Sequence, residues 1–218
     1  MAFRGWPQEA FEFYEELETN NSRDWWLAHK ATYDSAVKAP MEELMAAVAD
    51  EFGPMRLFRP NRDVRFSKDK SPYKTAAAAM TATEGAACYV QLSSEGLMVG
   101  GGQYHLASDQ LTRFRDAIAD DDTGTAVAEI CADLRSDGYE VAAAETLKTA
   151  PRGWDKDHPR IDLARMKGAV VLTHLPRAKW MSTAKALGRI TDVWRDGEAL
   201  FDWLDANVGP STLPQVRR

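Results

Sequence analysis

The sequence predicts an α+β fold, a mostly antiparallel sheet covered by N-terminal and C-terminal helices, on three observations. Apolar residues recur at helical spacing up to Phe52 and again beyond Ser108. Between these regions the period falls to two, and one stretch reads as a hairpin. Helices, then strands, then helices is not the regular β–α alternation of a doubly wound sheet. At about 150 residues per domain, 218 residues suit one or two domains. No linker of low hydrophobicity divides the chain, so one domain over 1–208 is expected, followed by a flexible tail over 209–218.

Pro7 opens a first helix whose Phe11, Tyr14 and Leu17 follow at spacing three. Asn20-Asn21-Ser22 breaks it, and Asn21 or Ser22 can cap the next, with Trp26, His29, Tyr33 and Val37 inward. Pro40 starts a third, where Met41, Leu44, Met45, Val48 and Phe52 form one face ended by Gly53-Pro54. Residues 61–66 alternate, Val64 and Phe66 against Asp63 and Arg65, as in a half-buried strand. Ala76 to Thr81 fits helix or strand. Cys88, Val90 and Leu92, a turn over Ser93 to Gly96, then Leu97 to Val99 make the hairpin. Ser108 caps a helix with Leu111, Phe114 and Ile118, and a second carries Val127, Ile130 and Leu134 to Gly138. Short strands over 139–142 and 169–174 flank the polar, turn-rich stretch Pro151 to Asp162. Ala178 to Asn207 is helical, with a bend at Gly197.

Composition excludes several classes. Hydrophobic residues are 44% and charged residues 28%, which rules out wholesale disorder and fibrous chains. A net charge of −6 leaves no whole-protein basic footprint for nucleic acid. Cys88 and Cys131 form no C-x-x-C pair and read as buried free thiols. No apolar stretch approaches the roughly 20 residues that span a bilayer, and the start lacks a secretion-signal pattern. A cytoplasmic protein without membrane contact is expected.

One segment departs from this acidic background. Arg59 to Lys74 places Arg59, Arg62, Arg65, Lys68, Lys70 and Lys74 against only Asp63 and Asp69. Positive charge concentrated in an acidic protein is the local signature of an anion site. Ser67 can donate, and both aspartates can orient Arg or Lys through charge-assisted hydrogen bonds. The same residues also suit a solvated strand edge whose lysines block edge-to-edge pairing.

The run Arg62-Asp63-Val64-Arg65-Phe66-Ser67-Lys68-Asp69-Lys70-Ser71-Pro72-Tyr73-Lys74 resembles the R-D-x-R-F-S-K-D-K-x-P-Y-K signature of a family of conserved hypothetical proteins, a domain of unknown function. Asn20 to Trp26, with Lys30 and Tyr33, is similar to that family's N-N-x-R-x-W-F and K-x-x-Y. Gly100 to Gly102 resembles its glycine-rich strand end, and Leu147-Lys148 with Pro151 to Pro159 resembles L-K-x-x-P-R-G-[YF]-x-x-x-H-P. The likeness covers about residues 8 to 205. It implies one domain and a shared site; it implies no reaction, substrate or cofactor.

The matching motifs set the expected ligand-binding residues. From the basic run come Arg62, Asp63, Arg65, Ser67, Lys68, Asp69, Lys70, Tyr73 and Lys74. Arg23 joins from the first motif, Gly101 as part of a backbone N–H nest, and Lys148, Arg152 and His158 from the last. All are expected to line one cleft. Asp63, Asp69 or His158 would serve as general acid or base, unranked. Asp155, Asp157 and His158 lack the further ligand a metal site needs, so no metal is assigned. Gly100 to Gly102 is no dinucleotide fingerprint, and Ser67 lacks an S-x-x-K partner for covalent chemistry. Adjacent Trp25 and Trp26 diverge by about 100° on a helix, so one packs at a seam while the other can line a groove. The expected function is a binding protein or enzyme with a cationic cleft for a phosphorylated or carboxylated small molecule. The alternative is a module that docks nucleic acid or an acidic protein partner.

Overall fold

The computed structural model describes residues 2–65 and 68–214, and its architecture is α+β, as the sequence predicts. Strands β1 (Met55–Leu57), β2 (Ala76–Thr81), β3 (Ala87–Ser93), β4 (Gly96–Gln103), β5 (Glu140–Ala142) and β6 (Ala169–Pro176) form a sheet in the order β1-β2-β3-β4-β6-β5. The β1–β2, β2–β3 and β5–β6 pairs are antiparallel. The residues gather in two compact units. The first holds the chain up to Ala82 with Tyr89–Val99 and His174–Asp192; the second holds Thr83–Cys88, Gly100–Thr173 and Val193 onward.

In the first unit, α1 (Gln8–Asn20) buries Phe11, Phe13, Tyr14 and Leu17. Ser22 caps α2 (Arg23–Thr32), its hydroxyl accepting from the Trp25 N–H at 3.3 Å. The second and third helices are not separate as expected. They are joined by a π-helical stretch, Tyr33–Lys38, in which the Ala39 N–H donates to the Asp34 carbonyl five residues back. Pro40 explains it: lacking an N–H, it cannot extend the ordinary ladder, and the turn before it widens. The helix α3 (Ala39–Phe52) then buries Met41, Leu44 and Val48 and packs on β1 and β2. Ala76–Thr81, ambiguous in the sequence, is strand, and the expected hairpin is β3 and β4.

The expected strand over 61–66 is absent among the described residues, where Asn61 makes one isolated bridge to Tyr73 and 62–65 carry no strand. The Asp63 carboxylate accepts from the Arg65 N–H at 3.2 Å, a local turn that competes with a ladder. Val64 is half-buried rather than core, and Phe66 lies outside the described residues. The strand β1, only three residues long, sits earlier than the alternation suggested.

In the second unit, Phe114, Ile118, Val127, Cys131, Leu163, Trp203 and Leu204 belong to one buried cluster. It joins α4 (Ser108–Ala119), α5 (Asp121–Ser136), the short α6 (Ile161–Ala164) and α8 (Glu198–Asn207). Ser108 is the first residue of α4 rather than its cap; the Gln110 side chain accepts the Ala107 N–H instead. Asp120 caps α5 by accepting from Asp122 and Thr123. Arg160 closes the α4 end, its guanidinium donating to the Ile118, Ala119 and Asp120 carbonyls and to Asp121. A cation at a helix C-terminus also meets its dipole. The helix α7 (Lys185–Asp196) stops at Gly197, where the bend was expected. Cys88 and Cys131 are buried thiols, and burial pushes them up to about 12 and about 11.

Residues 208–212, at the start of the expected tail, are bonded to α4. Gln110 holds the Gly209 carbonyl, Arg113 the Val208 and Pro210 carbonyls, and Asp109 accepts from Ser211 and Thr212. These bonds, first that from the Thr212 N–H, hold the Asp109 carboxyl well below its usual range.

Gly101 is buried in β4, and a Cβ there would meet the Phe201 ring and, at 2.9 Å, the Ala87 carbonyl. Packing therefore requires this glycine. Gly101→Ala is expected to lose about 1–3 kcal/mol in chemical denaturation, with partial recovery in Gly101→Ala/Phe201→Leu. Unchanged stability in the single variant would overturn the packing account.

Candidate functional site

The basic segment is a loop closed at its base. Arg62 N–H donates to the Pro72 carbonyl at 2.9 Å and Lys74 N–H to the Pro60 carbonyl at 2.8 Å, around the Asn61–Tyr73 bridge. Pro60 and Pro72 accept but cannot donate, so each supplies the half of a pair that proline retains. Inside the loop the charges organise one another. Arg65 is exposed and grips Asp63 with Nε and Nη2, at 3.0 and 2.6 Å to its two oxygens. Arg62 pairs with Asp69, which also accepts from the Ser71 N–H at 2.9 Å. Lys70 donates to the Val64 carbonyl at 2.9 Å, and Lys68 is exposed. Hydrogen bonds from Arg65 bring the Asp63 carboxyl down to about 2, and bonds first from Ser71, then Arg62, bring Asp69 to about 2. Ser67 lies outside the described residues.

One asparagine ties this loop to the helices. Asn21 Nδ2 donates to the Tyr73 carbonyl at 2.9 Å, and its Oδ1 accepts the Tyr73 N–H at 3.1 Å. The amide thus imitates a strand neighbour for Tyr73. The Tyr73 ring is buried and stacks on Trp26, with centroids 4.1 Å apart and planes at 9°. Trp26 meets Phe13 and Tyr33 in turn, an aromatic cluster on α1, α2 and the π-helical turn. Trp26 is thus the tryptophan at the seam; Trp25 is half-buried, stacked on His29 at 4.0 Å. Arg23, the residue singled out from this motif by its charge, opens α2 and is exposed. Asn21 was missed as a site residue because a neutral amide gives no charge signal.

Beside the loop base lies a pocket of about 530 Å³, within the range of about 300–1,000 Å³ for small-molecule sites. Its floor comes from the sheet: Ala76 and Ala78 alternate onto one face of β2, and Tyr89 and Gln91 occupy the same face of β3. Phe58, Thr75, Arg62 and Lys74 complete it. Lys74 Nζ lies over the Phe58 ring at 5.4 Å, and the Arg56 guanidinium approaches the same ring at 5.9 Å. Burial, and secondarily the charge of Arg59, push the Lys74 ammonium below its usual range. Phe58, Tyr89 and Gln91 carried no sequence signal, because strand register alone brings them to the loop. Arg59 was visible only as a charge of the basic run, and Arg56 lies before that run.

The remaining expected residues belong to the second unit. Gly101 lies inside β4, and Lys148 and Arg152 are exposed. His158 Nδ1 accepts the Arg160 N–H at 3.1 Å, and its ring meets Trp154 edge-on at 4.7 Å. Among the described residues, no group of three or more His, Cys, Asp or Glu is placed to hold a metal ion. Likewise, none of the described helices is long and apolar enough to cross a membrane.

Two outcomes follow for the loop. Asn21→Ala leaves both Tyr73 backbone groups unpartnered and is expected to lose about 1–3 kcal/mol in denaturation, with faster hydrogen exchange at Tyr73. A stable variant with unchanged exchange at Tyr73 would remove Asn21 from the anchor. Asp63 and Asp69 are held below their ordinary 3.8, so the stability they contribute is present above that value. It is lost as pH falls through about 2. Carboxyl NMR titration should find both midpoints near 2, and midpoints at the ordinary value would show the ion pairs are not formed in solution.

No curated protein and no solved structure matches this chain. A model of the conserved hypothetical protein family DUF2461 matches residues 9–203, which include the loop, its Asn21 anchor and the pocket. With nearly the whole fold inside that match, the chain belongs to the DUF2461 family.

Proposed function

We propose that this protein binds a phosphorylated or carboxylated small molecule in the β2–β3 pocket, with Arg62 and Lys74 as its anion-binding pair. The observation that carries this reading is the charge balance at the rim. The loop's carboxylates are already engaged, Asp63 by Arg65 and Asp69 by Arg62 and Ser71. Lys74, Arg59 and Arg56 have no ion pair among the described residues, and Lys74 lines the pocket. Gathered cations whose mutual repulsion goes unrelieved favour an anion at that place. Arg62 offers a planar fork and Lys74 a point charge, the two modes by which proteins hold phosphate and carboxylate. Concavity favours a small molecule over a nucleic acid or an acidic protein, which a convex stripe would suit better.

Phosphate ligands stabilise the native state by mass action, about 2.7 kcal/mol at a free concentration 100 times Kd, which moves Tm by several degrees. Wild type, Arg62→Ala and Lys74→Ala should be compared under identical salt, because anions such as sulfate also stabilise generally by exclusion. The specific shift is expected in wild type and lost in both variants. Equal shifts in all three would leave the loop a solvated edge.

A further inference from the structure

The pocket is larger than a phosphate or carboxylate group requires, and its walls differ in chemistry. The cations Arg62 and Lys74 stand at the loop base, whereas Ala76, Ala78, Tyr89 and Gln91 form the floor on one face of the sheet. The β2–β3 register sets Ala78 opposite Gln91, and Met80 opposite Tyr89. Small side chains at 76 and 78 leave open a flat area on the pleated surface that any larger residue would fill. The Tyr89 hydroxyl donates to Gln91 Oε1 at 2.8 Å. That bond occupies the amide oxygen and leaves the N–H groups of this pocket-lining side chain as donors. An apolar floor beside an aromatic ring and an amide donor pair is complementary to a planar ring carrying an acceptor.

Charge sets the other end of the ligand. Lys74, Arg59 and Arg56 lack ion pairs among the described residues, and Arg62 shares its charge with Asp69 alone. A single carboxylate would leave most of this charge uncompensated, whereas a phosphate monoester dianion answers more of it and suits the Arg62 fork.

We infer that the ligand is a phosphate monoester with a planar ring, its phosphate at Arg62 and Lys74 and its ring on the Ala76–Ala78 floor beside Gln91. The inference rests on the anion-binding reading above and adds the body of the ligand to it.

Binding of inorganic phosphate and of phenyl phosphate to the full chain, followed by NMR shift perturbation at fixed ionic strength, separates the two. Wild type is expected to bind phenyl phosphate about tenfold more tightly, a difference of about 1.4 kcal/mol. Ala76→Leu and Ala78→Leu, made separately in case one fails to fold, should abolish that advantage and keep phosphate binding. Gln91→Leu should weaken 4-acetylphenyl phosphate, whose ring carries an acceptor, relative to phenyl phosphate, and an unchanged ratio would remove Gln91 from the site. Equal affinity of the two probes for wild type, with phosphate binding lost in Lys74→Ala, would overturn the ring and leave the anion site standing. A phenyl advantage that survives both leucine variants would overturn the placement on β2. Absence of binding by either probe would remove the anion reading and this inference together.

Discussion

The double hydrogen bond between the Asn21 amide and the Tyr73 backbone is the constraint on which the site depends. Half of the residues from Arg59 to Lys74 are charged, so burial of apolar surface contributes little to holding the segment. Ordering each residue costs about 1–2 kcal/mol of backbone entropy, and exposed ion pairs return at most about 1 kcal/mol each. The loop therefore needs a tether to something rigid. Asn21 supplies it in the bend between α1 and α2, and the stack of Tyr73 on Trp26 adds aromatic burial at the same residue. Lys74 follows directly, so its position over Phe58 is fixed from one side by the aromatic cluster and from the other by its bond to Pro60.

Within that frame the loop's salt bridges act as orienting devices. Asp63 engages Arg65 through two oxygens and also accepts the Arg65 N–H, so side chain and backbone are fixed together. Asp69 does the same for Arg62 and Ser71. Each aspartate stands beside the cation it orients, and neither is placed among the pocket's lining residues. The acid–base role expected for Asp63 or Asp69 finds no support in this arrangement. Carboxyls brought down to about 2 are poor proton donors or acceptors near neutral pH.

Much of the fold was legible because periodicity reports burial directly. Phe11, Tyr14 and Leu17, or Met41, Leu44 and Val48, are buried where their spacing placed them. What failed was local competition with that pattern. Residues 61–66 alternate like a strand, yet Asp63 satisfies a backbone N–H two residues on, and Pro60 begins the loop. A strand of three residues, such as β1, is too short to show any period. The site was half legible for a related reason. Charge marks Arg62 and Lys74, but the pocket opposite them is made by β2 and β3, and pairing register is not written in either strand alone.

A family match over residues 9–203 does not by itself separate residues that build the fold from residues that act. The structure draws that line at particular atoms. Gly101 stands where the Phe201 ring leaves no room for a Cβ, so its place in the strand follows from packing. His158 spends Nδ1 on the Arg160 N–H at the start of α6, which leaves only Nε2 for other partners. The Asn21 amide and the Tyr73 backbone are committed to each other. Of the motif residues in the first unit, two line the pocket: Arg62, half-shared with Asp69, and Lys74, without an acidic partner among the described residues. Among the described residues their acidic partners are too few for their charge, and the proposed ligand rests on that imbalance rather than on the motif.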